Sequence, residues 1–486
     1  MTRRSLRQRL PAGERPALQG ALTALLALAV GLAGGAAVAF APFWAAFLVL
    51  IALAAGYALL VNTNAGIAAV LAIATILPFG TLPFKAVVTP NFLELALLAV
   101  LGIWLLRQLA MSEEPLELSP LGLPLIGFLG ITLFSFLLGS GGSPDSLTLH
   151  NYFKFVLAAL FFVVVVNCVR ERAQARWVLR LLVIVGAVSA LIGLVLYFLN
   201  DATALRLLVS LGRIGYPTSG RVLRYVEDDP NGLERAIGLS VDPNSYGGML
   251  ALVGAIAATQ LVAERPVLRR QWLAPLTLAI LAALFLTYSR AALGGLIVAA
   301  MYVATVRYRR LWWLILAGGA LAALLFIALG VGEQFVERVT EGVQFRDQAN
   351  QMRLAEYRNA IAVIQAYPFF GIGFGAAPDV DLTAGVSSIY LAIAQRTGLV
   401  GLAAFLGIMA AFFVRSWRDM RAAAQAGDVE RAAWLVSLQA AIAAALAVGL
   451  LDHYFFNIEF SHMVALFWGC IGLAMAIGRM PAGGQQ

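Results

Sequence analysis

Asn151–Cys168 reads NYFKFVLAALFFVVVVNC and Trp177–Leu199 reads WVLRLLVIVGAVSALIGLVLYFL, with only VRERAQAR between them. Each run approaches the roughly 20 apolar residues that a helix needs to cross the hydrocarbon of a bilayer. The short connection carries Arg170, Arg172 and Arg176. Two apolar helices joined by a short basic loop make a membrane hairpin, and the arginines assign that loop to the cytoplasm.

The same pattern extends outward in both directions. Further helices are expected at 18–40, 43–60, 65–80, 92–108, 121–138, 245–263, 272–288, 291–306, 311–330, 398–414, 432–450 and 462–478. The expected fold is all-α, a polytopic membrane protein with about 12–14 transmembrane helices. Of the 486 residues, 61% are hydrophobic and 12% charged. Soluble domains hold about 45–50% apolar and about 25% charged residues, so lipid is the main solvent here. The N-terminal run after Arg3, Arg4, Arg7 and Arg9 is too long for a signal-peptide core and reads as a first membrane helix.

Charge then sets orientation. With the N-terminus in the cytoplasm, alternate short loops hold Arg265, Arg269 and Arg270, then Arg307, Arg309 and Arg310, then Arg415, Arg418 and Arg421. The C-terminal Arg479 falls on the same side, as the positive-inside rule requires. Both termini are therefore assigned to the cytoplasm. The net charge of +8 follows largely from these loops and is no nucleic-acid signal. Two long polar stretches, about 200–244 and 331–397, fall outside. The chain reads as one membrane domain over 1–486 with these two external loops. Cys168 and Cys470 lie in or at the end of apolar runs, and no Cys/His pattern has metal spacing.

Four stretches could carry chemistry. In LTYSRAALGG, Arg290 sits where two apolar helices meet almost without a loop, and charges at such places tend to be functional. The first external loop holds Arg213, Arg221, Arg224 and Arg235, followed by Asp242-Pro-Asn244. Arginine grips phosphate bidentately and keeps its charge, so this loop reads as an anion site; Asp242-Pro-Asn244 reads as a turn and helix cap. The second loop runs from Arg353, Glu356, Tyr357 and Arg358, an amphipathic external helix, through Pro368, which stops it, to Gly371, Gly373 and Gly375. No strand precedes those glycines, so they read as a structural turn rather than a dinucleotide fingerprint. The fourth stretch, Asp452-His453 to His462, brings in two of the three histidines, the third being His150. His453 is the candidate base, because an unperturbed imidazole titrates near neutrality.

Together these motifs resemble the O-antigen ligase/polymerase superfamily, integral membrane glycosyltransferases of the GT-C class. The similarity is best between about Arg235 and Gly398. It rests on Arg235 to Asn244, on Thr287 to Ala291, on Arg353, Tyr357, Pro368, Gly371, Gly373 and Gly375, and on Tyr390, Leu391 and Gly398 to Leu402. The resemblance implies transfer of glycans carried on undecaprenyl pyrophosphate to a glycan or lipid-linked acceptor, outside the cytoplasmic membrane, with membrane lipids as surroundings. It implies catalytic roles for Arg290 and Arg235, with substrate binding by Arg213, Arg221, Arg224, Arg353, Arg358 and Tyr390, and His453 added as base. No cofactor or metal is called for where arginines stabilise the departing pyrophosphate. Ligases of the family carry His-Asn just before Tyr-Leu, where this chain has Ser387 and Ser388, which favours a polymerase over a ligase. A lipid-linked oligosaccharide flippase or transporter is the rival reading; it predicts short loops and mid-membrane charges rather than two long external loops.

Overall fold

The structure is a computed structural model that describes residues 62–82, 89–110, 116–139, 144–218, 220–328, 348–374 and 386–481. The expected helices 18–40 and 43–60 lie outside these. By compactness the chain divides into two units: residues 1–66 with 99–116, and residues 67–98 with 117–486. In the first, Arg107 donates to the Thr63 hydroxyl at 2.6 Å. All that follows concerns the second.

Among the described residues there are α1 (Thr63–Ile76), α2 (Phe92–Ala110), α3 (Gly122–Gly139), α4 (Ser146–Cys168), α5 (Arg172–Phe198), α6 (Asp201–Ser210), α7 (Pro243–Val262), α8 (Arg270–Leu286), α9 (Arg290–Val306), α10 (Leu311–Ala328), α11 (Gln348–Ala366), α12 (Ile389–Gln425), α13 (Val429–Val448) and α14 (Ser461–Gly478). Eight are long and apolar enough to cross a membrane, and α1, α8, α9 and part of α10 are apolar but shorter. The all-α polytopic expectation holds. Every expected helix within the described residues is present.

α14 is buried along its whole length, and α7 and α13 nearly so. α14 packs on α4, while α13 packs on α7 and α9. These three form the protein-lined centre, and helices such as α2, α3 and α10 turn Leu, Phe and Trp side chains outward. A sequence apolar all round can be either buried or lipid-facing, so periodicity alone does not separate the two groups.

The boundaries that moved have local causes. α4 starts at Ser146, not 151, because the Asp145 carboxylate accepts from the backbone N–H of Leu147 and Thr148 (3.0 and 2.9 Å). α12 spans 389–425 rather than 398–414, with a break at Gly398. Arg415, Arg418 and Arg421 are therefore on a helix and not in a loop. Arg415 pairs with Asp419 one turn on (3.0 Å) and Arg421 lies 3.9 Å from the Trp417 ring centre, which carries the helix past its apolar stretch.

One end of the bundle gathers the basic connections. Arg172 forks onto Asp428, Arg176 pairs with Glu430 at 2.6 Å, and Arg431 donates to Ile477 O at 3.0 Å. Arg479 donates to Val166 O. The basic connection before α5, the start of α13 and the end of α14 thus meet in space. Residues 200–218, 220–244 and 386–388 and the loop 449–460 lie at the other ends of those helices.

Candidate functional site

Arg224 and Arg235 face each other across a two-residue antiparallel ribbon, β1 (Arg224–Tyr225) with β2 (Glu234–Arg235). The ribbon is docked on the break between α8 and α9: Ala236 N–H donates to Leu286 O (2.8 Å) and Arg235 Nε donates to Thr287 O (2.8 Å). A second Arg235 nitrogen donates to Asn244 Oδ1 at 2.6 Å. Asp242 caps α7 by accepting from Asn244 and Ser245 N–H (2.9 and 2.7 Å). Ser289 caps α9, accepting from Ala292 N–H at 3.3 Å. Between the helices Tyr288 holds a positive φ of 52°, a conformation a bulky side chain adopts only where its surroundings enforce it.

The first turns of α7 and α9 touch. A Cβ on Gly247 would come within 3.0 Å of Thr287, Ser289 and Ala292. Two helix N-termini therefore stand side by side, each carrying partial positive charge. Arg290, exposed at the first position of α9, and Arg235 add two full charges there. Positive charge is thus concentrated where the partial charges of two helix N-termini already add up, an arrangement that suits an anion. The two sequence elements Arg235–Asn244 and Thr287–Ala291 are thus one site.

The loop after α13 brings a carboxylate to it. Asp452 is 4% exposed and its Oδ2 is buried without a hydrogen-bond partner. Burial pushes its carboxyl up to about 7, against the pull of Arg353 and Arg235 and with the push of Asp242 and Glu356. α11 delivers Arg353 and Glu356. That helix is clamped in place: Glu356 accepts from Ser387 N–H (2.9 Å), and the Tyr357 hydroxyl lies 2.9 Å from Ser387 O and 3.0 Å from Leu450 O. Ser388 Oγ donates to Gly449 O (3.3 Å) and Ile389 N–H donates to the same carbonyl (2.8 Å). The Ser387–Ser388 position thus abuts the loop that carries Asp452.

His453 follows Asp452 in this loop. Its ring stacks on Tyr454 with centroids 4.9 Å apart, and Nδ1 is buried without a hydrogen-bond partner. Burial, aided by Arg396, pushes it down to about 4 against the attraction of Asp242. Burial thus makes His453 a weaker proton acceptor than a free imidazole. His462 packs edge-on against Phe79 (5.2 Å) in α14, and His150 pairs with Glu94 (2.9 Å).

The glycine motif is structural, as its sequence context implied. The segment 368–373 docks into the break of α12. Ile372 and Gly373 N–H donate to Gln395 O and Arg396 O (3.0 and 2.9 Å), and Leu399 N–H donates to Pro368 O (2.7 Å). Backbone groups freed by a broken membrane helix must be satisfied within the protein, and this exchange satisfies them. Gly398 has φ 70° and ψ −177°, a region open essentially to glycine alone, and a Cβ on it would overlap Phe369 O. Gly398→Ala is expected to cost at least about 1–3 kcal/mol from backbone strain alone, seen as a lower thermal midpoint of the detergent-solubilised protein; an unchanged midpoint would contradict this.

The remaining expected site residues are scattered. Arg353 reaches the Asp452 cluster. Arg224 donates weakly to Val241 O (3.4 Å), and Arg221 donates to Asp228 O. Arg213 and Arg358 are exposed. The Tyr390 hydroxyl donates to Leu446 O (2.9 Å), tying α12 to α13 rather than facing the site. Sequence reading passed over Arg396 and Tyr454. Tyr454 feels the charges of Asp242 and Asp452, and its only sequence signal is its place beside Asp452 and His453.

Residues 275–406, from within α8 to within α12, match the family model described as O-antigen ligase. Comparison with curated proteins finds no match. The matched stretch contains Arg290, Arg353 and the docked glycine segment; Arg235 and Asp452 are added to it by the fold.

Proposed function

We propose that this chain, which belongs to the O-antigen ligase/polymerase superfamily, transfers or polymerises glycans carried on undecaprenyl pyrophosphate at the outer face of the cytoplasmic membrane. Polymerase is favoured, because Ser387 and Ser388 stand where ligases of the family carry His-Asn. Both termini are then cytoplasmic, and the ends of the bundle holding Arg235, Arg290 and Asp452 face outward.

The observation that supports this reading best is one juxtaposition: two arginines at adjoining helix N-termini, next to a buried carboxyl that titrates near neutrality. The pyrophosphate of the donor sits at Arg290 and the starts of α7 and α9, with Arg235 behind them. An acceptor hydroxyl attacks the anomeric carbon. The new C1–O bond forms as the C1–O bond to phosphate breaks, and the lipid pyrophosphate leaves with that electron pair. The hydroxyl proton passes to the Asp452 carboxylate, which we prefer to His453. Preorganised cations that meet charge as it develops lower the barrier most. Arg353 holds a share of Asp452 ionised, and Glu356 and Tyr357 position that arginine through Ser387 and Leu450.

The test is reconstitution. Purified protein in liposomes, given a lipid-pyrophosphate-linked glycan in EDTA, is expected to release lipid pyrophosphate and build a ladder of lengthened glycans. Release with a single addition to a lipid acceptor would mean a ligase. Movement of the donor across the bilayer with its bond intact would mean a flippase. A strict need for a divalent ion would overturn the assignment of charge stabilisation to the arginines.

A further inference from the structure

Beside the arginine site lies a separate cavity of about 460 Å³, within the roughly 300–1,000 Å³ of small-molecule pockets. Three elements wall it: the start of α4, the break of α12, and the loop 453–460. Its polar lining includes Asn151, Gln395, Arg396, Asn457 and Glu459. Arg396 is held by donation to Gly373 O at 3.2 Å, so the docked glycine segment fixes where its guanidinium lies. Tyr454, Phe374 and Phe456 supply aromatic surface, with the last two 6.1 Å apart between ring centres.

The charge balance narrows the ligand. Glu459 acts electrostatically on both Arg396 and Lys154, and Glu94 acts on Lys154 as well. A bare anion would meet Glu459, and a bare cation would meet Arg396. Amides, one guanidinium and one carboxylate present donors and acceptors in planar groups. Rings beside them offer apolar faces. A neutral polyhydroxylated ring, with hydroxyls at its edge and C–H groups on its faces, satisfies both. Position gives the role: His453 and Tyr454 line the cavity, Asp452 precedes them in the chain, and Tyr454 feels the charge of Asp242 in the arginine site.

We propose that this cavity binds a sugar ring of the acceptor glycan, next to the residue whose hydroxyl attacks, and so sets acceptor specificity; the role as acceptor rests on the glycosyltransferase reading above. Asn151, Gln395, Arg396 and Glu459 recognise the sugar edge, and the aromatic residues take its face.

Two variants test it with different risks to folding. Glu459→Gln changes an exposed side chain, and Ala392→Leu adds carbon to the cavity wall without removing a contact. The probe is the mixture of free oligosaccharides released by mild acid from the surface glycan of the source cells, with binding to purified protein read by saturation-transfer NMR. Wild type and Arg290→Ala are expected to bind it, whereas Ala392→Leu loses the signal and Glu459→Gln weakens it several-fold. In transfer assays with the free oligosaccharide as acceptor, Ala392→Leu should raise the acceptor KM at least tenfold and leave the donor KM within twofold. Transfer by wild type with both variants unchanged in acceptor KM would overturn the cavity assignment and leave the glycosyltransferase reading standing. Oligosaccharide binding that Ala392→Leu abolishes, in a protein that never cleaves a lipid-pyrophosphate donor, would instead overturn the transferase reading and keep the sugar site.

Discussion

Arg290→Ala is expected to lower glycosyl transfer about 10²–10³-fold, the loss typical of removing one preorganised donor from the place where charge develops, while the protein stays in the membrane at its normal level. Arg290 is exposed at the start of α9, so its truncation leaves no buried cavity, and the thermal midpoint of the variant is read beside its activity. The activity loss is therefore separable from a folding loss. Arg290→Lys should recover only part of the rate, because an ammonium is a point charge where guanidinium is a planar fork. Arg235 behaves differently. It bridges Thr287 O and Asn244 Oδ1, so Arg235→Lys should lower both activity and thermal midpoint. An Arg290→Ala protein with full polymer output would remove that residue from the mechanism.

Asp452→Asn is expected to lower single-turnover transfer about 10²–10⁴-fold, the range for loss of a general base, with donor binding retained. The amide keeps the shape of the carboxyl and cannot take the proton. It also removes a buried charge whose Oδ2 has no hydrogen-bond partner, so the variant should be at least as thermally stable as wild type. That opposite movement of activity and stability is what a merely structural Asp452 would not give. His453→Gln should cost far less, since burial leaves its imidazole a weaker proton acceptor than the Asp452 carboxylate. A reversed order, with His453→Gln inactive and Asp452→Asn near normal, would return the base to His453.

The membrane helices were legible because hydrocarbon thickness imposes a length that composition reveals at once. The end of α3 and the start of α13 need no tertiary knowledge. The break in α12 does. Gly398 looks like the first residue of a helix, yet α12 begins nine residues earlier because Pro368–Gly373 supplies the hydrogen bonds that Gln395–Val400 gives up. The arginine site was legible in its parts and not in its assembly. Arg235 and Arg290 were singled out separately, and the bond from Arg235 to Thr287 O joins them. Asp452 ranked below His453 because its perturbers, Arg353, Asp242, Arg235 and Glu356, come from two distant stretches. His453 looked favourable for the converse reason: an imidazole is a good base by default, and only burial removes it from that range. Arg396 was hidden inside an apolar run, where it reads as a helix-end arginine.

The pH dependence of single-turnover donor cleavage tests the central claim most directly. A base must be unprotonated to act, so with Asp452 held near 7 the rate should rise tenfold per pH unit below that value and level off above it. Glu234, pushed up to about 7 chiefly by burial and further by Asp201, is the other carboxyl raised to that value among the described residues, and Glu234→Gln serves as control. The account predicts a midpoint near 7 in wild type and in Glu234→Gln, and a low, flat profile in Asp452→Asn. A wild-type profile already flat from pH 5 to 9, or one whose midpoint persists in Asp452→Asn, would contradict it.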